Sequence, residues 1–259
     1  MSTALAAFLV RMQLLFTPPV TDLANLPKVG GMASIPTRAE NLPAVLAEVM
    51  PQVDRLHLFL HGYDAVPEAT NHPRIITYLA PKSHPYRASG KFYGLSQETA
   101  PCLFIGFDDD ILYHAGHVER LIRAIKRYRG RAVVGVHGAR YLSPDATFRT
   151  HRRSYFFERG FINDRVVDVL GTGTVAFVSS MLPIDPPSWP YGNMDDIMLA
   201  MEAERRHMPR ILVARRKKSI SAIATAQDDS LWRAAVNDDT LHTQQIRLLL
   251  EIIGKRPKG

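Results

Sequence analysis

The sequence predicts an α/β fold: a mostly parallel central sheet, helices on both faces, and a small antiparallel region in the second half. Three observations predict it. Apolar runs of strand length alternate with segments of helical periodicity through the first half of the chain. The run at 102–107 is continuously apolar, as strands covered on both faces are. Beyond the first half the alternation gives way to shorter β-rich pieces set apart by Gly and Pro.

Each element has its own reason. Residues 1–16 open with an apolar stretch over 4–10, interrupted by Arg11 and Gln13. No positive charge precedes that stretch, so a signal peptide is not expected. The segment reads as a helix packed on the domain, a frayed end, or a contact with a membrane surface or partner, and Thr17-Pro18-Pro19 ends it. Residues 29–35 form the first strand, where Gly30 and Gly31 permit close backbone approach, and Pro36-Thr37-Arg38 closes it. A helix is expected over 41–50, with Asn41 as N-cap and Pro43 in its first turn. Strands follow at 55–60, before the polar turn His61-Gly62-Tyr63-Asp64, and at 74–79. Residues 80–90 are a loop, 91–99 a helix and 102–107 a buried strand. Val118, Leu121, Ile122 and Ile125 give 117–129 helical spacing, and 131–136 is another strand. In the second half, 154–158, 165–170 and 174–178 read as strands of antiparallel character. Helices are expected at 194–207 and 240–253, a strand at 211–214, and a rigid Pro-rich loop at 181–192.

The bulk numbers bound the partners. A chain of 259 residues, 46% hydrophobic and 22% charged, has the composition of an ordinary globular protein and can bury a large core. The one cysteine, Cys102, rules out a disulfide framework and suits a reducing, cytoplasmic setting. A formal charge of +7 favours anionic partners: nucleotides, nucleic acid, acidic glycans or anionic lipid. Zinc-ligand spacing, an aromatic recognition motif and a coherent basic helix are all missing from the sequence, so nucleic acid is not the expected partner. No apolar run is long enough to suggest a transmembrane helix.

The chemistry concentrates in two acidic groups. Asp108-Asp109-Asp110 stands directly behind the apolar strand at 102–107, at the mouth of the expected sheet. Three adjacent carboxylates repel one another, and a divalent cation with a preference for hard oxygen ligands relieves that repulsion. An acidic turn or a helix N-cap is the other reading. Asp195 and Asp196 stand at the start of the helix expected from 194, where N-capping and dipole compensation are one reading.

The order Ile35-Pro36-Thr37-Arg38, Phe107-Asp108-Asp109-Asp110-Ile111, then Asn193-Met194-Asp195-Asp196 resembles the GT-A-fold glycosyltransferases of the family 2 type. Gly90-Lys91-Phe92-Tyr93-Gly94, Val134-Gly135-Val136-His137-Gly138 and Leu170-Gly171-Thr172-Gly173-Thr174 narrow the resemblance to bacterial enzymes of surface-polysaccharide assembly. It spans roughly residues 29–245. It implies a nucleotide-diphosphate sugar donor, Mn²⁺ or Mg²⁺, and a glycan or lipid-linked acceptor, with peripheral contact at the inner face of a membrane. It implies an N-terminal extension or helix over 1–27 and one GT-A catalytic domain over 28–259. Of that domain, 28–138 would bind the nucleotide sugar and 139–259 the acceptor.

By the same resemblance Asp110 ligates the metal and Asp108 contacts metal or ribose. Asp109 is a donor-side neighbour or turns into the structure. Pro36, Thr37, Arg38 and Tyr63 lie on the donor side, with Arg38 on phosphate. Lys91, at an expected helix N-terminus, neutralises phosphate. Asp196 is the base, Asp195 its helper, and His242 a late metal ligand. The turn His61-Gly62-Tyr63-Asp64 departs from the family's acidic base-binding turn. Gly171-Thr172-Gly173 reads as a close approach to sugar or phosphate, or as a hairpin turn. Arg215-Arg216-Lys217-Lys218 reads as a solvated face, a diphosphate clamp or a lipid contact. A sugar nucleotidylyltransferase and a non-catalytic nucleotide- or glycan-binding domain remain the alternatives to transfer.

Overall fold

Parallel pairing begins with the first strands. β1 (Lys28–Ser34) lies between β2 (Arg55–His61) and β4 (Leu103–Asp108), and β3 (Ile75–Ala80) pairs with β2 on the outer side. This is a computed structural model describing residues 2–18, 20, 23–217, 219–223 and 238–254. Past β4 come β5 (Ile111–Leu112), β6 (Val133–Gly135), β7 (Gly138–Tyr141), β8 (Arg152–Tyr155), β9 (Arg165–Val166) and β10 (Val169–Leu170). β11 (Val175–Val178), β12 (Arg210–Leu212) and β13 (Ser221–Ala222) complete the strands. The main sheet has the order β3-β2-β1-β4-β11-β6-β12-β9, flanked by a three-stranded sheet β10-β7-β8 and a β13–β5 pair. β11 is antiparallel to both neighbours and β9 to β12; the other six strands run one way.

Period-two burial builds the two faces. Leu56, Leu58 and Leu60 of β2 and Leu103, Ile105 and Phe107 of β4 enter one core, shared with α2 (Leu42–Val49) and α3 (His117–Arg127). Phe104 turns the other way, toward Val29, Phe92, Phe177 and Leu199 of α4 (Asp195–Arg205). Helix α5 (Thr240–Gly254) packs outside α4 through Ile246 and Leu249. Helix α1 (Thr3–Leu14) has Ser2 as N-cap, its hydroxyl accepting the Leu5 N–H at 3.2 Å. Val10 and Leu14 of α1 lean on the first core.

Two expectations are corrected. The helix expected over 91–99 is a 3-10 segment, Arg87–Gln97. Gly90 and Gly94 weaken an α-helix there, and each presses its bare backbone on a β2 side chain, Phe59 and His57. Lys91 therefore sits inside a 3-10 run and not at a helix N-terminus. The strand expected over 165–170 is two: β9 joins β12, while β10 joins β7. The change of partner falls at Asp168, whose carboxylate accepts the Tyr141 N–H at 2.7 Å. Strands from both halves of the chain share the main sheet, because β11 inserts between β4 and β6.

Candidate active site

The order β3-β2-β1-β4 reverses direction at β1, which places a switch point between the ends of β1 and β4. The two segments leaving that crevice meet across it. Pro36–Asn41 continues from β1 as a 3-10 turn, and Arg38 Nη1 donates to Asp109 Oδ1 and Asp110 Oδ2, both at 2.9 Å. These side chains are 11%, 5% and 16% exposed, so Arg38 is not a surface cation. Tyr63, from the turn after β2, donates to the Ile35 carbonyl and lies 2.8 Å from Ser34 Oγ, securing the end of β1.

The second meeting is between β4 and the start of α4. Lys91 is buried, and its ammonium lies 2.5 Å from Asp108 Oδ1, 3.1 Å from Thr172 Oγ1 and 3.2 Å from Asp195 Oδ2. An ammonium has three N–H donors, and three acceptors surround this one. Thr172 Oγ1 also lies 2.5 Å from Asp195 Oδ2 and 2.8 Å from Asp196 Oδ1, which accepts the Thr172 backbone N–H at 2.7 Å. Asp108, Asp195 and Asp196 thus join through one lysine and one threonine.

Close backbone approach makes this possible. The 172–174 turn crosses the end of β4, where a Cβ on Gly173 would stand 1.8 Å from Asp108 Oδ2 and one on Gly106 2.0 Å from the Thr172 carbonyl. Tyr113 clamps the crossing: its buried hydroxyl donates to the Gly173 carbonyl at 2.6 Å and accepts the Asp108 N–H at 2.7 Å. His137 supports the turn from the other side. Its carbonyl accepts the Gly171 N–H at 3.0 Å, and its ring lies between Phe156 and Phe157. Burial first, then Arg215, pushes His137 down to about 4, so it is neutral at pH 7.

The crowded carboxylates respond to their surroundings. Burial, then Asp108, pushes Asp110 up to about 7 against the pull of Arg38. Burial, then Asp195, pushes Asp196 up to about 7 against the Thr172 N–H and Lys91. Burial also raises Asp109, with Arg38 opposing it. For Lys91, burial disfavours the charge, yet Asp108 and Asp195 outweigh it and the pKa is raised.

Not every expected residue gathers here. His242 lies on α5 with its ring 4.7 Å from Phe148, and burial lowers its pKa. No cluster of three or more His, Cys, Asp or Glu able to hold a metal occurs among the described residues. Arg215 is buried, donating to the carbonyls of Phe156 (2.7 Å), Phe157 (3.2 Å) and Val213 (3.3 Å), so it knits backbone and is not part of a basic face. Arg216 and Lys217 are exposed, and Lys218 lies outside the described residues. Trp189 packs edge-on against Phe92 at 5.3 Å. Sequence reasoning missed the hydroxyls of Thr172 and Tyr113. The signals were a threonine held between two glycines and a tyrosine closing the Ile111-Leu112 run.

No protein-family model and no curated protein sequence matches this chain. Solved structures do. The mannosyltransferase PcManGT from Pyrobaculum calidifontis, in complex with GDP-Man and Mn²⁺, superposes with a TM-score of 0.54 at 13% identity, over 96% of this chain and 76% of that one. GalNAc-T7 with UDP, GalNAc and Mn²⁺ superposes with a TM-score of 0.52 at 8% identity, over 73% of this chain. This chain spans only 43% of the GalNAc-T7 chain. With the strand order and its β1–β4 switch point, these likenesses establish that the chain has the GT-A fold.

Proposed function

We propose that this protein is a glycosyltransferase that moves a sugar from a nucleoside-diphosphate donor to a hydroxyl of a glycan acceptor, with inversion at the anomeric carbon. The observation that carries the reading is the Lys91–Thr172 bridge, which holds Asp108, at the end of β4, beside the Asp195–Asp196 pair. Donor-side and acceptor-side carboxylates thereby share one site. The donor class is supported by the two structural neighbours, whose complexes contain UDP and GDP-Man, each with Mn²⁺.

The residues fit a divalent cation completed by substrate. Asp108 and Asp110 are adjacent hard oxygen donors, and burial makes ionised Asp110 costly without a counter-charge. Mg²⁺ and Mn²⁺ sites in phosphoryl-bearing enzymes commonly use one or two carboxylates plus phosphate oxygens, so a preformed cage of three protein ligands is not required. When bound, the cation supplies Lewis-acid stabilisation of the departing diphosphate. The chain's own groups do the rest. Pro36, Thr37 and Tyr63 shape the nucleoside side of the crevice. Arg38 offers positive charge beside the acid cluster, and Lys91 positions carboxylates. Asp196 accepts the proton of the attacking hydroxyl; the new glycosidic C–O bond forms as the bond to diphosphate breaks. Inversion follows from having one base and no second carboxylate assigned as nucleophile. A role in bacterial surface-polysaccharide assembly, with a lipid-linked acceptor, belongs to the same proposal and rests on the sequence resemblance.

The test is nucleotide binding by calorimetry with UDP, GDP and CDP, each with and without Mn²⁺, followed by sugar-transfer assays. One diphosphate should bind in an Mn²⁺-dependent way. Asp110→Ala should lose that dependence, and Asp196→Ala should keep binding and lose transfer. Failure of every nucleoside diphosphate to bind would overturn the proposal, and pyrophosphate release from a nucleoside triphosphate would replace it with nucleotidyl transfer.

A further inference from the structure

Helix α1 is apolar on two opposite faces. Its inner stripe, Thr3, Ala7, Val10 and Leu14, packs on the protein, with Thr3 and Ala7 buried. Its outer stripe, Leu5, Phe8, Leu9 and Met12, repeats at helical spacing and is 40–55% exposed, and Phe16, just past the helix end, is 89% exposed. A helix docked on a globular protein ordinarily turns polar residues outward. Here the outward face is the more strongly apolar one, and Ile162, 92% exposed, extends it across an adjoining groove of about 550 Å³.

The border of this face is basic. Arg11 and Arg127 line the groove, where Asp164 is the one carboxylate and is already paired with Arg127. Arg129 Nη2 donates to the Leu15 carbonyl at 3.1 Å, Arg131 Nε to the Pro18 carbonyl at 3.3 Å, and Arg165 Nη1 to Thr3 Oγ1 at 3.4 Å. Arg11, Arg127, Arg129 and Arg131 therefore border an apolar helix face, with Asp164 the one acid lining the adjoining groove, while Arg165 reaches the inner stripe and stacks on Tyr155 and Phe161. We infer that α1 is an interfacial helix that seats this protein on an anionic lipid bilayer, its outer stripe in the acyl boundary and its arginines at the headgroups. A protein partner with an acidic surface would meet the arginines but leave Phe8, Met12 and Phe16 without an apolar counterpart; a bilayer offers both chemistries. The surface is separate from the acid cluster, so its loss leaves nucleotide binding intact.

The experiment is flotation of the full chain with vesicles of phosphatidylcholine alone and of phosphatidylcholine with about 30% phosphatidylglycerol. Binding should require the anionic lipid and weaken with salt. Arg129→Gln should weaken it about fivefold, the share of one cation near such a surface. Phe8→Asp should abolish binding, with Phe8→Ser as a milder variant and circular dichroism confirming that both fold. Absence of binding to anionic vesicles, or binding that Phe8→Asp leaves unchanged, would overturn the inference. So would a dimer detected by light scattering without lipid and dissolved by Phe8→Ser, since the face would then be an interface between two copies.

Discussion

Asparagine at position 196 would keep the shape of the proposed base and remove its chemistry. Asp196 Oδ1 accepts the Thr172 N–H at 2.7 Å and adjoins its hydroxyl at 2.8 Å, and an amide oxygen can accept both. The variant should therefore fold with nearly unchanged thermal stability. Its kinetics should not survive. Burial and Asp195 push the carboxyl up to about 7, some three units above an ordinary aspartate. At pH 6 only about a tenth of it is then ionised, so wild-type kcat/KM should climb roughly tenfold per pH unit below 7 and level off above. Losing a general base costs about 10²- to 10⁴-fold, or about 3–5 kcal/mol of barrier. The assay is nucleoside-diphosphate release at fixed acceptor from about pH 5 to 9 for wild type, Asp196→Asn and Asp195→Asn. A wild-type profile flat from pH 6 to 8 would refute the reasoning. So would an Asp196→Asn enzyme that keeps both the ramp and a rate within about threefold.

Other perturbations probe the frame around that carboxylate. Gly173→Ala places a Cβ against the Asp108 carboxylate and should displace it, weakening Mn²⁺-dependent nucleotide binding at least about tenfold; unchanged binding by calorimetry would contradict this. Lys91→Met leaves Asp108 and Asp195 without their shared counter-charge and should cost about 3–5 kcal/mol in urea unfolding, more than Thr172→Val at about 1–3 kcal/mol. Away from the site, Glu98 accepts from Arg55 and His57, and its pKa is lowered, by the Arg55 hydrogen bond first. A lowered carboxyl pKa contributes stability above the unfolded-state value and loses it as pH falls through the folded value. Glu98→Gln should therefore destabilise by about 1–3 kcal/mol at pH 7, and the difference should shrink as pH falls below the ordinary carboxylate range and through the lowered folded-state pKa, measured by denaturation across an acid pH series.

Much of this was legible in the chain, and the gaps have physical causes. The runs that became β1 and β4 were readable because burial on both faces leaves them nearly all apolar, and β2 was readable despite His57, whose ring is satisfied by Tyr78 and Glu98. Asp108–Asp110 stood out because three adjacent carboxylates directly behind a buried run repel one another, although an acidic turn would read the same way. The 3-10 character of Arg87–Gln97 was hidden, since Gly90 and Gly94 are there for contacts with Phe59 and His57 that only the sheet creates. The same holds for Thr172. Its two flanking glycines mark a close approach, but not the partners of its hydroxyl, which are Lys91, 81 positions away, and Asp196, 24 positions away. β11 brings them together by crossing back between β4 and β6, a long-range pairing without a local signature. For His242 the chain offered only order, a histidine late in the sequence; its ring packs against Phe148, a contact that order does not announce.

The charges of the site make donor and cation interdependent. Asp108, Asp109, Asp110, Asp195 and Asp196 face two cations, Arg38 and Lys91, which leaves a deficit of three positive charges when all the carboxyls are ionised. Burial relieves part of it by moving Asp110 and Asp196 up to about 7, where each takes a proton readily. A diphosphate entering such a crevice adds negative charge where charge is already costly. Low pH would ease its entry by protonating the acids, but it would also disable the base. A dication resolves that conflict, because it balances the diphosphate without occupying the proton site on Asp196. The acid cluster is therefore a poor anion site on its own. On the proposed function, the same ionisation that readies Asp196 for an acceptor hydroxyl would make a metal-loaded donor the form that enters.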